Sequence, residues 1–187
     1  MIPPTPSRSP LRSALLCTLV TLVAAASLAA CGPAPAPTPT PTAAFASEEE
    51  AFAAAEATYR AFTRRLNEID LADPRTFEPL FELSSGEFES ADRKAYSSMH
   101  AKGFTIDGTT TILSFEGTKA DLPRNVVEAE VCLDVSDVTV VDSAGASQVD
   151  PNRPNIYALD VAFVSDGRSL TIDSASVDRQ KTCTLDG

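Results

Sequence analysis

One histidine and eight glycines in 187 residues set the first limits on this chain. A nucleophilic triad needs a base beside its nucleophile, usually histidine. His100 stands alone in the last turn of a helical stretch, where a cation on a solvated face suits the helix end, and no Gly-x-Ser-x-Gly occurs. The glycines form no phosphate-cradling loop, and neither zinc spacing nor an EF-hand loop is present. Asp134, Asp137 and Asp142 lie close together, but their spacing matches no calcium loop, so they read as solvated carboxylates. No catalytic residue, metal or cofactor is therefore assigned. Basic residues are scarce as well, 15 against 26 acidic, for a formal net charge of −11. Such a chain has little with which to displace phosphate counterions, which excludes nucleic acid as an expected partner, and no basic patch to hold it on an anionic bilayer.

What the chain does have begins at its start. Arg8 and Arg12, with no acidic residue near them, precede an apolar run from Ala14 to Ala30, the architecture of a secretory signal. A membrane span needs roughly 20 apolar residues; this run is shorter and is interrupted by Thr18, Thr21 and Ser27. Leu28-Ala29-Ala30-Cys31 resembles the lipobox of bacterial lipoproteins. The resemblance implies cleavage after Ala30, a diacylglyceryl group on the Cys31 thiol, and a membrane as partner through that lipid. Ordinary secretion, with Cys31 a free thiol, is the alternative. Residues 32–46 alternate proline with small residues, which favours an extended rod of ~3.1 Å per residue and a stand-off of about 30 Å. The expected organisation is a leader over 1–30, a lipidated cysteine and tether over 31–46, and one domain over 47–187, on the extracytoplasmic face of a cell membrane.

Ser47 followed by Glu48, Glu49 and Glu50 makes a capping box, and Phe52, Ala55, Tyr59, Phe62, Leu66 and Ile69 then fall on one helical stripe ending near Asp70. Asp73-Pro74 restarts a helix that Pro79 keeps short. A third helix is expected from Ser85 or Ser90 to Lys102, with Phe88, Ala95, Tyr96 and Met99 inward and Gly103 as its stop. Beyond Gly103 the period changes to two. Asp107-Gly108 marks a hairpin turn into the strand of Ile112 to Phe115, and Val127 to Val135 alternate with Glu128, Glu130, Cys132 and Asp134. Val138 to Val141 continue the sheet. After a polar connection from Asp142 to Asn155, Tyr157, Leu159, Val161 and Phe163 form an inward set, and Asp166-Gly167 turns the chain into Leu170 and Ile172. The parity shift to Ala175 and Val177 predicts a bulge near Asp173-Ser174.

Once Cys17 leaves with the leader and Cys31 takes the lipid, Cys132 and Cys183 remain as a pair in an oxidising compartment, which predicts a disulfide. A zinc site competes poorly, because no second ligand pair lies at metal spacing. The order of elements predicts an α+β domain, three N-terminal helices packed on a curved antiparallel sheet of about five strands. With the Phe52 to Ile69 stripe, Gly103-Phe104, Gly108, Cys132-Leu133-Asp134-Val135-Ser136 and Cys183, the chain resembles the NTF2-like superfamily, the cystatin-like cone that includes SnoaL-like proteins. More narrowly it is similar to the NTF2-like lipoproteins of high-GC Gram-positive bacteria. It departs from them in having no tryptophan. The resemblance implies a space between the long helix and the sheet, to which Tyr59 and Tyr157 are the candidate contributors. No motif position carries a catalytic residue across. The function expected is a non-enzymatic binding module for an envelope protein or a small-molecule ligand; the alternative is a small-pocket isomerase, cyclase or hydrolase of the SnoaL type. Glu128 and Glu130 on the outer face would repel a second copy, which favours a monomer.

Overall fold

The computed structural model describes residues 44–183. The leader, Cys31 and the tether up to residue 43 lie outside the described residues. Helix α1 runs Glu48–Leu66, with the Ser47 hydroxyl accepting from the Glu50 amide as its cap. The apolar stripe continues to Ile69, but the helix stops at Leu66 because Asn67 turns its amide to Thr110, giving one hydrogen bond to the Thr110 carbonyl and taking one from its N–H. A 3-10 turn at Pro74–Thr76 and the four-residue helix α2, Glu78–Phe81, follow, and they bury Phe77, Leu80 and Phe81. Helix α3 spans Gly86–Ala101 from Ser85, with Tyr96 buried and Phe88 and Met99 half-buried. Ala95, expected inward, is exposed. It sits one residue before Tyr96, a step that carries it off the inward stripe.

Six strands follow: β1 (Thr105–Asp107), β2 (Thr111–Asp121), β3 (Val126–Asp134), β4 (Thr139–Val141), β5 (Ile156–Ser165) and β6 (Leu170–Val177). Four form one antiparallel sheet in the order β2-β3-β5-β6, and β1 and β4 form a separate two-stranded ribbon. The Asp107-Gly108 turn therefore does not fold β1 onto β2, and Val138 to Val141 do not extend the main sheet. The Val138 amide bonds back to the Val135 carbonyl, and the Arg153 guanidinium donates to the carbonyls of both Val135 and Val138, which turns the chain out of the sheet. Gly108, at φ +93°, passes so close to the Asp137 carbonyl that a Cβ would stand 2.0 Å from its oxygen, so only glycine permits this crossing.

Irregular pairings curve the sheet and blunt its edges. The β2–β3 register shifts between Ile112 and Ser114 and again between Gly117 and Lys119, two interruptions on an edge strand. On β6 the extra residue is Asp173, between Ile172 and Ser174, where the sequence parity placed it. The outer edge of β6 is covered at Ile172, whose amide and carbonyl bond to Leu83 and Ser85. The Asp173 carboxylate accepts from the Ser85 hydroxyl, fixing the start of α3 against the bulge.

The core lies between α1 and the inner face of the sheet. Val127, Ala129, Val131 and Leu133 of β3 and Val161 and Phe163 of β5 point into it, against Ala51, Ala55, Tyr59 and Phe62 of α1. Gly117 lets the helix approach β2: a Cβ there would stand 2.2 Å from the Phe52 ring. The outer face is acidic. Glu116, Glu130 and Asp160 face one another across three strands, an arrangement that repels itself. The C-terminal segment relieves it. Cys183 is disulfide-bonded to Cys132, and Lys181 pairs with Glu130, so residues 178–183 cross the outer face as a strap.

Candidate functional site

The two ends of the sheet differ. At one end the chain enters the domain, where the Ala44 amide donates to the Asn125 side chain at 2.7 Å and the Ser165 amide bonds to the Asn125 carbonyl. Ile156, where β5 begins, is nine residues away and opposite Asp134 of β3. At the ~3.3 Å rise of a strand this end is about 30 Å from the entry point. Two clefts open at this distal end.

The first, of about 370 Å³, lies between the end of α1, Tyr96 of α3 and the β1–β4 ribbon. Asn67, Ile69, Asp107, Thr110 and Val138 line it. The Asn67–Thr110 pair fixes its wall, so those polar groups are already satisfied by each other. Behind it, Tyr96 packs on Phe77 and Phe81, and burial pushes its phenol well above the usual range, with the neighbouring Asp92 charge adding to the effect. One turn beyond, His100 is exposed as expected of a helix-end cation, yet it has a structural partner. Its Nδ1 is 2.7 Å from the Leu71 carbonyl, so Nδ1–H donates there and ties the loop after α1 to α3.

Asp92, which acts on Tyr96, is a carboxylate held far from its ordinary state. Burial raises its pKa from 3.8 to about 6. The folded chain therefore holds a proton on Asp92 between about pH 4 and 6 that the unfolded chain has released. Stability falls as pH rises through that window and is flat above it. Asp92→Asn removes the loss, and we expect it to raise stability at pH 7 by about 1–2 kcal/mol, less than the full equivalent of the shift because water still reaches and screens the group. Urea unfolding at pH 4 and pH 7 checks this: the variant's gain should vanish at the lower pH.

The second cleft, of about 580 Å³, lies where β5 begins and β6 ends, walled by the strap. Ile156, Tyr157, Ala158 and Val177 line it together with Asp178, Arg179 and Lys181; Ile156 and Ala158 belong to the outer face of the sheet, Tyr157 and Val177 to the inner. A smaller hollow of about 160 Å³ continues beneath the strap, along Glu130 and Cys183.

The two tyrosines singled out from the sequence thus part company. Tyr157 is half-buried and lines the second cleft. Tyr59 is 4 % exposed, lines none of the clefts above, and has Phe62, Phe115 and Phe163 as ring neighbours at 6.2–6.4 Å. Burial raises its phenol far above its ordinary pKa, so it stays neutral. Cys132 and Cys183 are joined, the pairing expected from the sequence. Sequence reasoning missed Arg179, Ile156 and Val177. The parity change on β6 keeps Val177 on the inner face with Ala175, and Val177 is open to water because β6 ends there.

No protein-family model matches the chain, and no curated protein matches it. Among solved structures it is similar to the intermembrane-space region of the chloroplast protein ARC6, with a TM-score of 0.46 and 20 % identity over 67 % of this chain and 95 % of that one. It is also similar to Aln2 from a Streptomyces species, with a TM-score of 0.43 and 16 % identity over 72 % of this chain and 93 % of that one. The functional reading rests on the residues themselves.

Proposed function

We propose that the chain is a lipid-anchored, extracytoplasmic protein whose NTF2-like domain is a non-enzymatic binding module that works at its distal end. The observation that carries this reading is the placement of the two clefts described above: the chain is tied at Asn125, and these two open at the far end of the same strands, while a third of about 340 Å³ lies on the outer face along Glu128, Asp160 and Ser174. A lipid on Cys31 and a proline-rich spacer would hold the domain at a membrane and off its surface. The Cys132–Cys183 bond supports an oxidising compartment. The aromatic packing around Tyr59 favours binding at the surface over chemistry in the interior.

The test is partition of the full chain between detergent and aqueous phases after expression in a lipoprotein-processing bacterium. The parent should enter the detergent phase and yield an N-terminal peptide starting at a diacylglyceryl-modified Cys31. Cys31→Ala should lose the modification, because one acyl-bearing thiol is the attachment point. An unmodified Cys31 in the parent would sink the anchor.

A further inference from the structure

We propose that the cleft between the end of α1, Tyr96 and the β1–β4 ribbon binds a small neutral molecule whose apolar body carries a carbonyl group. The inference deepens the reading of the domain as a binding module and rests on it. Buried hydroxyls are as a rule hydrogen-bonded within the protein, and those of Thr63 and Ser84 are, to the carbonyls of Tyr59 and Phe81. Tyr96 and Thr110, 8 % and 7 % exposed, differ. Thr110 engages Asn67 with its backbone amide and carbonyl, and neither its hydroxyl nor the Tyr96 phenol has a hydrogen-bond partner among the described residues. No fully enclosed side-chain oxygen among those residues lacks a partner, so both hydroxyls reach open space. Of the clefts described, Tyr96 lines only this one.

The rest of the lining is apolar or already engaged. Leu66 and Ile69 close the cleft from the end of α1. Ile106 lies opposite Val140 in the ribbon, and Val138 precedes β4 with the parity of Val140, so Ile106 and Val138 share one face. Asp107, next to Ile106, falls on the other face, and its carboxylate accepts from the Gly108 amide at 2.8 Å. No cation lines the cleft, and Arg60 and Arg64 border a separate hollow that meets it at Asn67 and Thr110. An anion would lose its hydration against Leu66, Ile69, Ile106 and Val138 with nothing to pair with, and a cation would find one carboxylate, engaged at Gly108. A neutral molecule avoids both costs. Burial and the Asp92 charge one turn back keep the proton on Tyr96, so the phenol meets the occupant as a donor, and a carbonyl oxygen is an acceptor with no proton of its own. The volume of about 370 Å³ falls within the range of small-molecule sites.

Backbone NMR titration of the full chain in a nonionic detergent at pH 7 tests this with three probes of similar shape: naphthalene-2-carboxamide, naphthalene-2-carboxylate and 2-naphthylmethylammonium. Protein-free micelles set the free concentration of each. The carboxamide should shift the amides of Gly108 and Thr110 saturably, and the two charged probes should bind there about tenfold more weakly. Tyr96→Phe keeps the ring on Phe77 and Phe81 and should weaken the carboxamide about tenfold. Val138→Asp, which puts a charge in the lining, should weaken it at least as much, with thermal midpoints measured alongside to show that each variant is folded. No saturable shift at Gly108 and Thr110, equal affinity for the three probes, or indifference to Tyr96→Phe would each overturn the proposal. Shifts confined to Tyr157 and Val177 would overturn this site and leave the domain a binding module through its other cleft. Failure of the anchor is read separately, from the detergent partition of Cys31→Ala, which does not involve the cleft.

Discussion

Reduction of the Cys132–Cys183 bond should lower the stability of the domain by about 4 kcal/mol, and its melting temperature by on the order of 10–15 °C. The two cysteines are 51 residues apart in sequence, and closing a loop of that length removes much of the freedom of the unfolded chain. Local consequences add to this. Cys132 and Ala158, 9 % and 7 % exposed on the outer face, border the hollow beneath the strap and would be uncovered when it lifts. Lys181 would no longer be held over Glu130, leaving the row of Glu116, Glu130 and Asp160 to repel itself. Thermal unfolding with and without dithiothreitol measures the effect, with Cys132→Ser, Cys183→Ser and the double variant in parallel. Because both substitutions break one link, the double variant should lose no more than either single one. A parent whose midpoint ignores the reductant would contradict the strap as drawn.

The disulfide was legible in the sequence because Cys132 and Cys183 are the two cysteines of the expected domain, and the strands because β3 alternates so cleanly. Val127 to Leu133 could face only one way. The bulge at Asp173 was legible for the same reason, as a break in alternation. Pairing of the short strands was not. Thr105–Asp107 and Thr139–Val141 are three residues each, too short to carry a face pattern, and Asp107-Gly108 has the residues of a hairpin turn. What sends β1 to β4 is the guanidinium of Arg153 and the contact of Gly108 with Asp137, both made across a long connection. The site was less legible still. Tyr59 and Tyr157 share an inward parity, yet one lies mid-helix under three rings and the other at the open end of a strand. Position along an element decided between core and cleft, and periodicity does not report it. Arg179 belongs to no periodic element at all. Its placement depends on the disulfide four residues later.

Phe163→Ala should cost about 3–5 kcal/mol, while Tyr59→Phe should stay within about 1 kcal/mol. Phe163 is 0 % exposed, pairs with Val127 on β3 and Ile172 on β6, and packs against Tyr59 and Phe115 at ring-centre distances of 6.4 and 6.2 Å. Its removal takes the middle out of a cluster drawn from the helix and three strands, which cannot all move inward together. A cavity therefore remains, and the lost contacts add to the lost transfer energy. Changing Tyr59 to Phe keeps the ring that packs and deletes only the hydroxyl. Equilibrium unfolding in urea separates the two, since both variants should keep the parent's slope and differ in midpoint. A dry apolar cavity binds benzene, so benzene should restore part of the stability of Phe163→Ala and leave the parent unchanged. Were the parent itself stabilised by benzene, the space between α1 and the sheet would already be open, and Tyr59 would return as a residue facing a ligand.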